Sequence, residues 1–380
     1  MKKRVLVTSC MLLLAGGLLA GCGGNKQEEL TDSQTVAESG SEISTEEISA
    51  GENADADAGQ AESKEGMARS IFTGQWVDET IATKRPIAVM IENTKAALPQ
   101  YGITKADIYY ECPVEGGITR MMAIFQDYSG IEQIGNVRSC RPYYAYYAAE
   151  YNAIYFHAGG SVEGKEALKS GVVDEVDGIS DTAFFRDDSK KAPHNLYISS
   201  DAIDETIAKK SFAATIDLTT MPEHYHFASD DAQVTLDNGV AATIASVYYP
   251  NNKPWFEYNP QDGLYYRYEF KNPQVDAINN QQLSVKNILV QYVKSSYYDK
   301  EKGTLNLEWS GSGEGYYITN GKAIDITWTR NGQDDVTRYY DMDGNEIVLN
   351  QGKTWISVVQ SSQKDKTKFH NTKEEFENDK

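Results

Sequence analysis

Apolar runs and period-two alternation divide the sequence into a first half of mixed pattern and a second half of strands. Residues 86–91 (PIAVMI), 106–110 (ADIYY) and 118–125 (ITRMMAIF) are short apolar runs of β character, the last following the turn Glu115-Gly116-Gly117. The period then lengthens. Pro142 suits the first helical position, and residues 142–151 read as a helix. Residues 153–156 form a strand ending at His157, and Gly159-Gly160-Ser161 turns into a helix over 162–169 that Gly171 stops. A short strand over 196–198 precedes a helix over 201–210, capped by Ser199 or Ser200, with Asp201 and Asp204 in its first turn. Strands that pair first as hairpins and then alternate with helices predict a mixed α/β domain with a layered sheet.

In the second half, Leu264, Tyr266, Tyr268 and Phe270 alternate with Tyr265, Arg267 and Glu269, and similar alternation runs through residues 304–309 and 324–328. Asp262-Gly263, Asn320-Gly321, Asn331-Gly332 and Asp343-Gly344 punctuate these strands as tight turns. A β-rich domain of hairpins, a barrel or a sandwich, is expected. The segment 311–315 (GSGEG) reads as a glycine loop or bulge. The whole chain is therefore expected to be α+β.

The N-terminus has a different character. Lys2, Lys3 and Arg4 precede an apolar stretch over 5–19 that is short for a membrane span and suits a secretory signal. It ends in Leu19-Ala20-Gly21-Cys22, which resembles the lipobox of bacterial lipoproteins. That resemblance implies cleavage before Cys22 and a lipid on its sulfur; two or more acyl chains hold a protein stably on a membrane. Residues 23–70 carry twelve acidic residues against three basic ones, a net of −9, and no aromatic. Such a segment cannot bury enough apolar surface to offset its chain entropy. The expected plan is a signal over 1–21, the lipidated Cys22 with an acidic linker over 22–74, a first domain over 75–228, a second over 229–362, and a loose polar tail over 363–380.

A formal charge of −20 argues against nucleic acid as a partner. Beyond the signal and the lipobox, Cys112 and Cys140 remain; a disulfide is open to them, and two buried small hydrophobes are the favoured reading. Chemistry concentrates in residues 135–161. Arg138, Ser139 and Arg141 precede one helix; His157, the two glycines and Ser161 precede the next. Helix N-termini present free N–H groups to anions, and arginine adds two-pronged recognition of carboxylate or phosphate. His194 and Asn195 enter a neighbouring strand, and Glu111 and Glu115 flank the preceding turn. These residues are expected to line a pocket for an anionic ligand. Two other readings stay open. Glu111 and Glu115, or a histidine, would serve a hydrolase as acid and base, and a tyrosine-rich β surface would serve a scaffold. His224 and His226 offer two imidazoles with no third ligand, so no metal site is expected, and no glycine motif for a nucleotide cofactor is present.

The segments RPIAVMIEN, ADIYYECPVEGGITRMMAIFQ, IGNVRSCRPYY, YNAIYFHAGGS and APHNLYIS resemble the YerB-like lipoproteins of Gram-positive bacteria over most of 80–360. The resemblance implies an extracytoplasmic, lipid-anchored protein with an N-terminal α/β and a C-terminal β-rich domain. It implies no reaction and no cofactor. Its expected partners are the membrane, an anionic small molecule or cell-wall component, and an envelope protein. Cys140 stands where the family pattern has a small residue such as Ala, which argues against a catalytic thiol there.

Overall fold

A computed structural model describes residues 64–379, so the signal segment, Cys22 and most of the acidic linker lie outside the described residues. The fold is organised by one sheet of eleven strands. In chain order these are β1 (Ile87–Asn93), β2 (Ile108–Pro113), β3 (Thr119–Phe125), β4 (Ile154–His157), β5 (Glu175–Asp177), β6 (Val240–Ala241), β7 (Asn287–Val293), β8 (Gly311–Thr319), β9 (Lys322–Arg330), β10 (Arg338–Tyr340) and β11 (Thr354–Gln360). Across the sheet the order is β6-β9-β8-β7-β11-β2-β3-β1-β4-β5, with β10 on β9. The first half supplies β1 to β5 and the second half the rest. They meet where β11 runs parallel to β2, with Thr354 opposite Ile108 and Ser357 opposite Glu111.

The central strands are buried on both faces, which is why they read as continuous apolar runs rather than as alternations. On one face lie two helices and a layer of buried tyrosines. Helix α1 (Pro142–Glu150) is buried nearly all round, and Tyr143, Tyr144 and Tyr147 pack beneath it with Tyr110 and Tyr151. Their hydroxyls find partners as buried phenols must: Tyr144 Oη donates to the Arg120 carbonyl at 2.6 Å, Tyr143 Oη to that of Pro113 at 2.7 Å. Helix α2 (Val162–Lys169) follows, capped by Ser161, whose Oγ accepts from Gly164 N at 3.0 Å. On the opposite face sit helix α3 (Ser200–Lys210), capped by Ser199, and a six-stranded sheet built around Trp255–Asn259 and Leu264–Glu269.

The architecture is thus α+β with two domains, and no described sheet closes into a barrel. Three local expectations change. Gly311–Gly315 is the start of β8 rather than a loop: an added Cβ on Gly315 would lie 2.0 Å from the Val290 carbonyl oxygen, so glycine is what lets the strands approach. Ordered chain begins inside the expected linker, since Met67–Arg69 pairs with Trp76–Asp78. The expected loose tail is ordered as well. Lys368–His370 adds an edge to the smaller sheet, and Lys373–Asn378 follows as a helix with a capping box at Thr372 that buries Phe376 against Trp255.

Two buried charge networks tie the halves together. Arg267 Nη2 donates to Glu111 Oε2 at 2.7 Å, its Nη1 lies 3.2 Å from Glu269 Oε2, and all three residues are wholly buried. Glu111 Oε1 also accepts from Asn93, Thr119 and Asn252. Two carboxylates share one guanidinium, and burial, only partly offset by Arg267, pushes the Glu269 carboxyl up from its ordinary value of 4.5. In the second network Arg330 Nη1 donates to Glu150 Oε1, while Glu150 also accepts from His224 Nε2, Thr337 N and Thr337 Oγ1. Here the hydrogen bonds and Arg330 outweigh burial and hold Glu150 below its ordinary range.

Two outcomes are expected. Arg330→Met leaves Glu150 buried without its counter-ion and should cost about 3–5 kcal/mol in denaturant unfolding. A loss under 1 kcal/mol would show that the pair does not hold the domains. Folded Glu269 keeps its proton at a pH where the unfolded carboxyl has lost it, so its burial erodes stability as pH rises above about 4.5. The melting temperature of Glu269→Gln should therefore gain on the wild type as pH rises above about 4.5, until the folded carboxyl itself ionises, and a pH-independent difference would contradict this assignment.

Candidate functional site

Strand alternation puts charge at one corner of the main sheet. Glu92 shares a face of β1 with Met90, and Arg120, its partner across the ladder, shares a face of β3 with Met122. Beyond Val89 the pairing of β1 with β4 gives way to a wedge of residues 137–140. Arg138 N donates to the Met90 carbonyl, and Ala158 N donates to that of Arg138. The wedge carries Arg138 onto the Glu92 face and delivers Arg141 to the N-cap of α1. The entries to α1 and α2 lie side by side, since Cys140 N donates to the Gly159 carbonyl and Ser161 N to that of Cys140.

Three guanidiniums meet two carboxylates in this corner. Arg141 grips Glu115 with both prongs, Nε to Oε1 at 2.7 Å and Nη2 to Oε2, and its Nη1 donates to the Cys140 carbonyl. Burial opposes the ionised Glu115, but Arg141 outweighs it and keeps the carboxyl below its ordinary range. Gly116 and Gly117, both at φ +71°, bring that carboxylate to the arginine by a turn that side chains rarely adopt. Arg138 Nε lies 3.5 Å from Glu92 Oε2, and Nη1 donates to the Pro193 carbonyl. His194 Nδ1 lies 2.8 Å from Glu92 Oε1.

Arg120 is different. It is 7% exposed, and its hydrogen bond runs from Nη1 to the Ser139 carbonyl at 2.7 Å. Among the described residues it has no carboxylate at ion-pair distance. Burial and the nearby charges of Arg141 and Arg138 lower its pKa to about 10.

Of the residues expected to line a pocket, Arg138, Ser139, Arg141, His194 and Glu115 are brought together here. The others are placed elsewhere. His157 is buried, with Nε2 2.9 Å from Glu175 Oε2 and Nδ1 2.9 Å from the Gly159 carbonyl. Ser161 is a helix cap. Asn195 orders the loop before it, donating to the Asp187 carbonyl and accepting from Arg186. Glu111 shares a face of β2 with Tyr109 and belongs to the Arg267 network, so Glu111 and Glu115 hold separate arginines rather than each other. Glu92 and Arg120 were absent from the expected set; each stands inside a run that reads simply as strand, and their ladder pairing is a tertiary fact. Cys112 and Cys140 are free and buried, and burial pushes the Cys140 thiol up to about 12, far from a nucleophile's range. His224 and His226 contact different acids, and the described residues contain no group of three or more His, Cys, Asp or Glu placed to hold a metal. A cavity of about 420 Å³ lies apart from this corner, lined by Ile71, Leu218, Met221, Tyr225 and Phe227.

An α+β protein of two domains sharing one sheet, with an arginine cluster at its corner, is the class that these features define. Residues 72–213 match the family model described as "Protein of unknown function (DUF3048) N-terminal domain", residues 244–356 match its C-terminal domain, and the chain belongs to that family. It is 29% identical over 295 residues to "Putative lipoprotein YerB" of Bacillus subtilis (strain 168), covering 76% of this chain and 85% of that protein. The crystal structure of YerB from the same organism superposes with a TM-score of 0.68 at 27% identity, covering 77% of this chain and 96% of that one.

The fork between Arg141 and Glu115 is part exposed, so its stabilisation is screened. A double-mutant cycle with Glu115→Gln and Arg141→Gln should give a coupling of about 1 kcal/mol in urea unfolding. Strict additivity would mean that the two side chains do not hold each other.

Proposed function

We propose that this chain is a lipoprotein, anchored through Cys22 on the extracytoplasmic face of the cell membrane, that binds an anionic ligand in the corner formed by Arg120, Arg138 and Arg141. The anchor reading is supported by the lipobox-like tetrapeptide and by the lipoprotein name of the Bacillus subtilis relative. No described helix is long and apolar enough to cross a membrane. The binding reading rests on one observation: the buried Arg120 guanidinium, pressed by two like charges, with one backbone acceptor and no paired acid among the described residues. Burying an uncompensated cation costs several kcal/mol. A fold tolerates that where the charge serves a ligand, and a bound oxyanion would remove the cost. Arg138 and Arg141, each held by a carboxylate, would flank the anion, and the start of α1 adds its dipole. Glu111 and Glu115 each carry an arginine, which leaves the hydrolase alternative without an acid–base pair at those positions.

The test is thermal unfolding of the full chain in nanodiscs of zwitterionic lipid, with phosphate, carboxylates and wall glycopeptides as additions. A ligand at about 100 times its dissociation constant stabilises by about 2.7 kcal/mol. Arg120→Met should melt at or above the wild-type temperature in anion-free buffer yet lose the anion-dependent rise. A wild type that no anion stabilises, or an Arg120→Met that keeps the full rise, would refute the reading.

A further inference from the structure

The charge count of the corner narrows the class of ligand, given the anion-binding reading above. Arg120, Arg138 and Arg141 contribute three positive charges, and Glu92 and Glu115 two negative ones. His194 Nδ1 contacts Glu92 Oε1 at 2.8 Å. Farther out, Lys190 feels both Asp187 and Glu92 and donates to the Ala97 and Pro99 carbonyls, so it is offset on its own side. Counted over these arginines and carboxylates, one positive charge is in excess, and Arg120 is the guanidinium with no carboxylate at ion-pair distance among the described residues. We infer that the site takes a singly charged oxyanion group, a carboxylate or a phosphodiester, and discriminates against the doubly charged phosphate monoester.

The physical reason is the same desolvation that makes Arg120 costly. A monoanion brings this set of arginines and carboxylates to neutrality. A dianion gives up a larger hydration energy on entry and leaves a net negative charge beside the buried Glu92 and the partly exposed Glu115. Glu92 Oε2 is buried and accepts no hydrogen bond, so no donor there offsets a second negative charge nearby. Carboxylates of peptides and phosphodiesters of polymers or lipids share this single charge, and the site's charge selects the shared feature.

Dimethyl phosphate, propanoate and methyl phosphate are the probes, titrated calorimetrically into the full chain in the same nanodiscs. A phosphate monoester has a second pKa near 6, so methyl phosphate is a dianion at pH 8. There dimethyl phosphate and propanoate should each bind about tenfold or more tightly than methyl phosphate, and at pH 5 the gap should close. Glu92→Gln raises the net charge by one and should move the pH 8 preference toward methyl phosphate by a similar factor. Should that variant fold poorly, the wild-type ratio decides alone. Methyl phosphate binding as tightly as the monoanions at pH 8, or more so, overturns the inference while leaving anion binding intact. Absence of binding by all three, in a protein that also fails with the wider anion panel, overturns both.

Discussion

Arg267 holds the two domains to one geometry. It comes from the smaller sheet, reaches a carboxylate on β2 of the main sheet, and stacks 4.3 Å from the Trp355 ring on β11. A guanidinium buried this deeply accepts few arrangements, because each lost partner leaves charge in a medium of low dielectric. Glu111 is satisfied by four donors, three of them neutral, from both halves of the sequence. Register across the β2–β11 seam, the seat of the smaller sheet and the position of the β1 end at Asn93 all answer to that requirement. Glu150 repeats the device at the end of α1, where one carboxylate gathers His224 together with an arginine and a threonine from the second half.

The sequence revealed local structure well and partnership poorly. Helices at 142–151, 162–169 and 201–210 and the strands of the first half were legible, because Pro142, Ser161 and Ser199 punctuate them and the apolar runs are short. The shared sheet was not. β11 is a seven-residue strand near the end of the chain, and nothing in its composition tells that its neighbour is β2, more than two hundred residues earlier. GSGEG misled because glycine marks both loops and strands that must approach closely. Beyond 362, polar composition hid Phe376, a single apolar residue on a short helix that packs on Trp255.

The candidate site was legible by the same measure. Arg138, Arg141 and His194 flank predicted element ends, where a sequence reader looks for chemistry. Glu92 and Arg120 sit within strands and reveal themselves only by facing each other across the ladder. Glu111 and Glu115, four residues apart, resemble a pair in sequence. Strand alternation sends the first into the Arg267 network, and the glycine turn sends the second to Arg141. Nearness along a chain says little about nearness in a sheet where faces alternate.

The seam between β2 and β11 also governs how the molecule is made. A chain synthesised from its N-terminus completes β1 to β5 long before residues 354–360 arrive. Until then β2 has β3 on one side and an open ladder of backbone groups on the other. Synthesis therefore passes through a stage in which a central strand of the sheet is an edge, and a shortened chain lacking the last thirty residues keeps that edge for good. Completion of the sheet thus waits on a strand from near the end of the chain, through one parallel pairing.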